Sequence, residues 1–249
     1  MRRFKRCHVA FLTRGPISLY SRGAHGYVSK VTVLGQLTAT IADMATDRRV
    51  LVAFDGPDAG GKTTMANRVA AALPGPVVRA SVEGFHRRRE VRMARGMDSP
   101  EGYYRDSFNL EALEEELLSP FLAGSGLVRT RVFDYRIDEA VDAEFEAVPP
   151  SATLIIDGVF LLRPELRRWW NLGIYVHVPD EVSLARAIAR DSDVYGGPRE
   201  TEVKYRSRYL PGQALYRMEA HPQDAALIVI DNSDPDRPEV LKWDVAAHV

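Results

Sequence analysis

The chain contains the segment Gly56-Pro57-Asp58-Ala59-Gly60-Gly61-Lys62-Thr63, which follows the apolar run 50–54 and precedes a helical pattern. This string matches G-x-x-x-x-G-K-[ST], the P-loop that cradles nucleotide phosphates. Its glycines let backbone N–H groups curl around phosphate oxygens, and the following helix offers its positive end to the same anion. We expect Lys62 to reach the terminal phosphates and Thr63 to ligate Mg²⁺. The segment therefore predicts nucleotide phosphate chemistry.

The predicted nucleotide site has a second part at the end of a later strand. Asp157 closes an apolar run and is followed by Gly158. An acidic residue at this position typically holds Mg²⁺ directly or through water, although an Asp at a strand end can also cap a turn. We predict ATP and Mg²⁺ as cofactors, with Thr63 and Asp157 as metal ligands. The predicted ATP contacts are Gly56, Asp58, Ala59, Gly60, Gly61, Lys62, Thr63 and Thr64.

Composition is typical of a cytoplasmic enzyme. The 249 residues, 45% hydrophobic and 27% charged, can bury one sizeable core, with a small lid appended. No run approaches the roughly 18 apolar residues that span a bilayer, so we expect no membrane partner. Cys7 is the only cysteine, which excludes an internal disulfide and fits a reducing compartment. The net charge of -1 argues against a nucleic-acid partner.

The N-terminal segment differs in charge from everything after it. Residues 1–42 contain seven Lys or Arg and no Asp or Glu. This bias fits a disordered extension or residues ahead of the true start, and it also resembles an organellar transit peptide. We predict a basic, disordered extension over residues 1–30 and one P-loop domain over 31–249. Apolar residues at helical spacing from Val33 to Met44 predict a helix packed on that domain.

Apolar runs of strand length alternate with helical patterns along the rest of the chain. Because the runs are continuous, they predict parallel strands that are buried on both faces of one sheet. With the P-loop, this order indicates an α/β fold of three layers, the P-loop NTPase fold, with ligands at the carboxyl ends of the strands. The predicted strands are 50–54, 77–80, 153–157, 174–178 and 226–231, and the predicted helices include 65–73 and 110–122.

Glu83 lies just past the second predicted strand, three residues after its last residue, Ala80. A carboxylate at this edge of the sheet could accept the proton of a hydroxyl group that attacks the γ-phosphate. An acidic residue that simply lies in a solvated loop would give the same sequence pattern. Five arginines lie within the next twelve residues. Such arginines suit bidentate binding of phosphate or carboxylate, and they equally fit a solvated basic helix face.

Arg186 and Arg190 are four residues apart on a predicted helix, so both project from one face. Such a pair could belong to a lid and stabilise charge on the transferring phosphoryl group, or it could simply lie on the surface. The Gly196-Gly197-Pro198 break that follows favours a mobile segment. We place the lid at about residues 185–212.

Five segments occur in the order found in uridine kinase-like proteins: 56–64, 83–86, 99–109, 156–160 and Arg186-x-x-x-Arg190-Asp191. Over about residues 48–235 the chain resembles the uridine kinase and phosphoribulokinase group of small-molecule kinases. The resemblance implies transfer of the ATP γ-phosphate to a hydroxyl of a nucleoside such as uridine, or of a similar small metabolite. Whether the chain forms a homo-oligomer is left open.

The resemblance also assigns roles to individual residues. Glu83 matches an Asp that acts as the catalytic base, the substrate pocket begins at Phe85 and His86, and the helix of Arg186 and Arg190 forms the lid. We therefore predict Lys62, Glu83, Arg186 and Arg190 as catalytic residues. The predicted substrate contacts are Glu83, Phe85, His86, Arg88, Tyr104, Asp106 and Phe133.

The sequence departs from that pattern at the acceptor side. Glu83 is one methylene longer than Asp, His86 stands where uridine kinases usually carry Tyr, and the segment 133–136 lacks the His that follows it in those kinases. A phosphorylated sugar or a vitamin precursor is therefore an alternative acceptor. A non-catalytic nucleotide-binding module is a second alternative. A GTPase is disfavoured, because the segment 231–234 lacks the Lys of the guanine-reading motif.

Overall fold

The computed structural model describes residues 20–22, 28–30, 32–124 and 126–245. The chain divides into two compact units, Met1–Thr32 and Val33–Val249. In the first unit, β1 (Tyr20–Arg22) pairs antiparallel with β2 (Val28–Lys30). The predicted disordered extension falls mostly outside the described residues.

The second unit contains the remaining strands and the helices. The strands are β3 (Val50–Asp55), β4 (Val77–Ser81), β5 (Leu127–Val128), β6 (Phe133–Asp134), β7 (Glu139–Ala140), β8 (Glu146–Ala147), β9 (Thr153–Asp157), β10 (Leu172–His177), β11 (Ile228–Asp231) and β12 (Glu239–Trp243). The helices are α1 (Val33–Met44), α2 (Lys62–Ala72), α3 (Arg89–Arg92), α4 (Pro100–Asp106), α5 (Leu110–Leu113), α6 (Ser119–Ala123), α7 (Asp180–Tyr195), α8 (Pro198–Lys204), α9 (Leu210–Ala220) and α10 (Pro222–Ala225).

Six strands form one sheet in the order β12-β11-β10-β3-β9-β4. All neighbours are parallel except β11 and β12, which are antiparallel. The predicted α/β fold with a mostly parallel central sheet is thus confirmed. Within the described part of the chain, no helix combines the length and apolar character needed to cross a membrane.

The central strand shows why the sheet is buried on both faces. Along β3, Val50, Val52 and Phe54 pack into one hydrophobic cluster. Leu51 and Ala53 pack into another. Because successive side chains of a strand point to opposite faces, a strand covered by helices on both sides must be apolar throughout. This layering brings the carboxyl ends of β3 and β9 together, where the P-loop and Asp157 lie.

The predicted elements agree with the structure, with local differences. The predicted helix 110–122 is interrupted by a π-helical turn over Glu114–Leu118, between α5 and α6. A second π-helical turn, Tyr205–Tyr209, lies between α8 and α9. The edge strand β12 has no side chain fully buried, so its sequence lacks the continuous apolar run that identified the other strands.

The predicted helix α1 is confirmed and packs with Leu37, Ile41 and Met44 buried. We expect Ile41→Ala to lower the free energy of unfolding by about 2–5 kcal/mol, because a fully buried aliphatic side chain leaves a cavity when it is truncated. Urea unfolding would measure the change. The exposed Asp43 on the same helix supplies the control, and Asp43→Ala should cost less than about 0.5 kcal/mol. Equal effects of the two substitutions would contradict this account of α1.

Candidate active site

The P-loop joins the end of β3 to the start of α2. Gly56 has a φ of 148°, and Gly61, the residue before α2, has a φ of 89°. A side chain is strained in this part of backbone space, so glycine is required at both positions. Ala59 also has a positive φ, of 52°, which is uncommon for a residue other than glycine. The loop therefore has the curled backbone that presents N–H groups to phosphate oxygens.

Lys62, the first residue of α2, has an exposed fraction of only 7%. Its Nζ donates a hydrogen bond of 2.6 Å to the Pro57 carbonyl oxygen, across the loop. Burial lowers the pKa of the Lys62 ammonium, while the surrounding carboxylates, led by Asp58 and Asp55, act to raise it. The amino group of Lys62 thus lies inside the loop, in position to contact phosphates.

Thr63 and Asp157 meet at the carboxyl edge of the sheet. The Thr63 hydroxyl donates a 2.6 Å hydrogen bond to Asp157 Oδ2. Hydroxyl and carboxylate oxygens are the ligands that Mg²⁺ prefers, so both residues fit this ion. Among the described residues, no group of three or more His, Cys, Asp or Glu forms a self-contained metal site. Mg²⁺ commonly takes only one or two protein ligands and completes its shell with phosphates and water.

Glu83 opens onto a tyrosine-rich crevice of about 190 Å³, defined here by Asp58, Glu83, His86, Tyr103, Tyr135 and Arg190. The Glu83 side chain is accessible to solvent, yet the concave protein surface around it raises the pKa of its carboxyl group. The nearby charge of Asp58 raises this pKa further, whereas Lys62 and Arg190 act to lower it. Glu83 therefore lies within electrostatic reach of the P-loop and of the α7 arginine.

The backbone of Glu83 is fixed by its neighbours. His86 Nδ1 lies 2.9 Å from the Glu83 carbonyl oxygen. Burial lowers the pKa of His86 to about 4, so the ring is neutral near pH 7. Because a carbonyl oxygen only accepts, Nδ1 carries the proton and Nε2 is an acceptor. The ring packs between Phe108 and Tyr135, with ring centroids 4.6 Å and 4.8 Å away.

Asp58 connects the P-loop to the helices beside the crevice. Its Oδ2 accepts a 2.6 Å hydrogen bond from the Tyr103 hydroxyl and a 3.3 Å bond from Gln213 Nε2. Its backbone carbonyl accepts a 2.7 Å bond from the Ser183 hydroxyl of α7. Helices α4, α7 and α9 therefore all contact the same P-loop residue.

The two α7 arginines lie in different places, although both project from one helix face. Arg190 lines the tyrosine-rich crevice and donates to both carboxylate oxygens of Asp191, at 2.7 Å and 2.9 Å. Arg186 instead donates to the carbonyl oxygens of Asn232 and Ser233, each at 3.0 Å. Only Arg190 is therefore placed beside Glu83.

Arg186 lines a separate α2 pocket of about 240 Å³. This α2 pocket is defined here by Val33, Gly61, Thr64, Arg68, Arg186 and Asn232. It adjoins the amino end of α2 and is also lined by Ala59 of the P-loop. Gly61 of the P-loop and the nearby Thr64 thus line the α2 pocket. Asp58 of the P-loop lines the tyrosine-rich crevice instead.

Two predicted substrate contacts are core residues. Phe85 is fully buried and belongs to the main hydrophobic cluster. Tyr104 is 3% exposed, and its ring packs against Phe160 and Tyr216 at 5.0 Å and 5.4 Å between centroids. The crevice is lined instead by the preceding residue, Tyr103, because adjacent residues of α4 point in different directions.

Three further predicted contacts do not line the crevice either. Asp106 Oδ2 accepts a 2.7 Å hydrogen bond from Arg95 Nε, which forms an ion pair at the end of α4. Arg88 and Phe133 line a neighbouring arginine groove of about 520 Å³, together with His86, Arg87 and Val132. His86 is the residue that the groove shares with the crevice.

Sequence reasoning missed several residues of the crevice. Tyr195, Tyr205 and Tyr209 line it from α7 and the second π-helical turn. The Tyr195 and Tyr209 hydroxyls are hydrogen-bonded at 2.8 Å, and the Tyr205 hydroxyl donates to Asp191 Oδ2 at 2.7 Å. Four tyrosines in the segment 195–216 were the available signal, but they match no short motif.

Comparisons with known proteins place this geometry in a family. The uridine kinase of Latilactobacillus sakei is 24% identical over 153 residues, which are 59% of this chain and 69% of that protein. The inorganic pyrophosphatase TTM2 of Arabidopsis thaliana is 24% identical over 191 residues, 76% of this chain and 27% of that protein. A solved structure of a possible uridine kinase from Bacillus stearothermophilus has the same fold, with a TM-score of 0.63 at 23% identity over 79% of this chain and 96% of that one.

A sequence model of a whole protein family also matches this chain, and the length of the match assigns the chain to that family. The model of the Phosphoribulokinase / Uridine kinase family matches residues 51–204, more than half of the chain. The matched region runs from β3 to α8 and contains the P-loop, Glu83, Asp157 and both α7 arginines. This chain therefore belongs to the phosphoribulokinase and uridine kinase family.

Proposed function

We propose that this protein transfers the γ-phosphoryl group of Mg·ATP to a hydroxyl group of a nucleoside such as uridine, or of a similar small metabolite. The observation that carries the proposal is the shared crevice of Glu83, Asp58 and Arg190, in which a carboxylate faces the P-loop and an arginine. Membership of the family and the uridine kinase relative support the same reaction.

In this reaction the P-loop and α2 bind the phosphates, and Lys62 contacts the terminal ones. Thr63 and Asp157 hold Mg²⁺, which neutralises charge on the phosphate oxygens when it is bound. Glu83 accepts the proton of the acceptor hydroxyl, and Arg190 supplies positive charge beside it. The α2 pocket receives the nucleoside part of ATP, since it adjoins the end of the P-loop away from Glu83.

The arginine groove favours a second candidate, an acceptor that carries a phosphate group. Arg88 lines this groove, and its guanidinium makes no hydrogen bond or ion pair with any residue that the structure describes, whereas its backbone carbonyl accepts from the N–H groups of Val91 and Arg92. An unpaired guanidinium suits a phosphate or carboxylate. Because His86 borders both the groove and the crevice, a sugar phosphate could lie with its hydroxyl near Glu83 and its phosphate near Arg88.

A screen for ADP release with nucleosides, vitamin precursors and sugar phosphates tests the acceptor class. We expect a nucleoside to be phosphorylated with release of one ADP, and Lys62→Ala to abolish the release without unfolding the protein. Activity with sugar phosphates alone would select the second candidate. ATP binding without ADP release for any acceptor would identify a non-catalytic nucleotide-binding module, and release without an acceptor product would identify a hydrolase.

Glu83→Gln should lower turnover by about 10²–10⁴-fold with ATP affinity retained, because general-base catalysis typically contributes that much. Glu83→Asp should keep far more activity, since it preserves the carboxylate. The exposed Glu90 of α3 supplies the control, and Glu90→Gln should leave steady-state rates unchanged. Wild-type turnover in Glu83→Gln would rule out Glu83 as the base.

The dependence of kcat/KM on pH gives an independent test. A base must be deprotonated to act, so activity should fall as the pH drops through the pKa of Glu83. Desolvation by the protein surface around Glu83 raises this pKa above the ordinary value of 4.5, so the midpoint of the acidic limb should lie above 4.5. The limb should disappear from the residual activity of Glu83→Gln. An unchanged limb in that variant would assign it to another group.

A further inference from the structure

Arg79 of the edge strand β4 reaches the carboxylate that we assign to Mg²⁺. Its Nη2 donates a 2.6 Å hydrogen bond to Asp157 Oδ1. Its Nη1 donates to the carbonyl oxygens of Ile155 and Ala80, at 2.5 Å and 2.9 Å. Both Nε and Nη2 donate to Asn67 Oδ1 on α2, at 3.1 Å and 2.9 Å. All five N–H groups of the guanidinium are thus used, which fixes its position.

This contact changes what Asp157 can offer a metal. Arg79 holds Oδ1, and the Thr63 hydroxyl donates to Oδ2 at 2.6 Å. A carboxylate with one oxygen fixed by a bound guanidinium approaches a cation through its other oxygen. That oxygen, Oδ2, is the one beside the P-loop threonine.

The charge of Arg79 acts at the same place. The side chain is 26% exposed and that of Asp157 only 5%, so water screens their interaction less than it would screen a surface pair. A divalent cation that binds Asp157 therefore meets a fixed positive charge on the far side of the same carboxylate.

We propose that Arg79 is a positioning residue that restricts Asp157 to its Oδ2 oxygen and weakens the binding of a divalent cation in the absence of nucleotide. The inference rests on the assignment of Thr63 and Asp157 to the metal under the proposed function. The phosphates of the nucleotide supply the negative charge that overcomes the opposing arginine. Metal thus binds together with ATP or ADP and weakly on its own.

Binding of Mn²⁺ to the intact protein, followed by electron paramagnetic resonance without nucleotide and with ADP, tests this inference. We expect Arg79→Met to bind Mn²⁺ without nucleotide at least about tenfold more tightly than the wild type, because an opposing charge has been removed from a partly buried site. Arg79→Gln, which is also neutral but polar, should show the same gain and serves if the methionine variant does not fold.

Matched variants separate the effect of the Arg79 charge from the effect of the hydrogen bonds that hold its side chain. Arg79→Lys keeps the charge and Asn67→Ala keeps the bond to Asp157, so both should bind Mn²⁺ like the wild type. Asp157→Asn should remove the gain when it is combined with Arg79→Met, since the two residues act through one contact.

Two outcomes overturn the inference and are distinguishable. Folded Arg79→Met and Arg79→Gln proteins that bind Mn²⁺ no more tightly than the wild type, while binding with ADP is intact, would reduce Arg79 to a structural brace. Absence of Mn²⁺ binding with ADP in every variant and in the wild type would overturn the metal-site assignment and this inference with it. Neither measurement of Mn²⁺ binding, without nucleotide or with ADP, requires the molecule that accepts the phosphoryl group.

Discussion

The close approach of the P-loop to the ends of β10 and β11 is the constraint on which the site depends. A Cβ atom at Gly56 would lie 2.3 Å from the Val176 carbonyl oxygen, and one at Gly61 would lie 2.4 Å from Asn232 Nδ2. The same Asn232 amide donates a 2.8 Å hydrogen bond to the Gly60 carbonyl oxygen. The loop therefore packs directly against the ends of β10 and β11, where the space at Gly56 and Gly61 admits no side chain.

A buried carboxyl group, that of Asp55, ties the P-loop to helix α9. Asp55, at the end of β3, accepts hydrogen bonds from the backbone N–H of Gly56 at 2.7 Å, from that of Leu162 at 3.0 Å and from the Tyr216 hydroxyl. Burial raises the pKa of Asp55, and these donors act in the opposite direction. Donors that replace water offset the cost of burying a carboxyl group. Asp55 thereby connects α9 to the first residue of the P-loop.

Local sequence predicted the nucleotide side and only part of the crevice, for a physical reason. Lys62 and Thr63 belong to one short motif, and Asp157 ends an apolar run, so strand and loop patterns placed them correctly at the sheet edge. Much of the crevice is lined by α4, α7 and the second π-helical turn, and tertiary packing decides which of their side chains point into it. The sequence alone could not show whether Tyr103 or Tyr104 of α4 lines the crevice, since both are tyrosines and they are adjacent.

The environment of Glu83 explains how a longer side chain suits the proposed base. Its backbone N–H lies 3.4 Å from the Ser81 hydroxyl oxygen, and its carbonyl oxygen accepts from the neutral His86 ring. The backbone is therefore held on both sides in a 3-10 turn, Val82–Phe85, and only the side chain is free to adjust. Burial raises the pKa of the neighbouring Tyr135, and the charge of Glu83 raises it further. Because the backbone is fixed and the side chain can adjust, the longer glutamate can still place its carboxylate beside an acceptor hydroxyl, so the extra methylene is compatible with the proposed role as base.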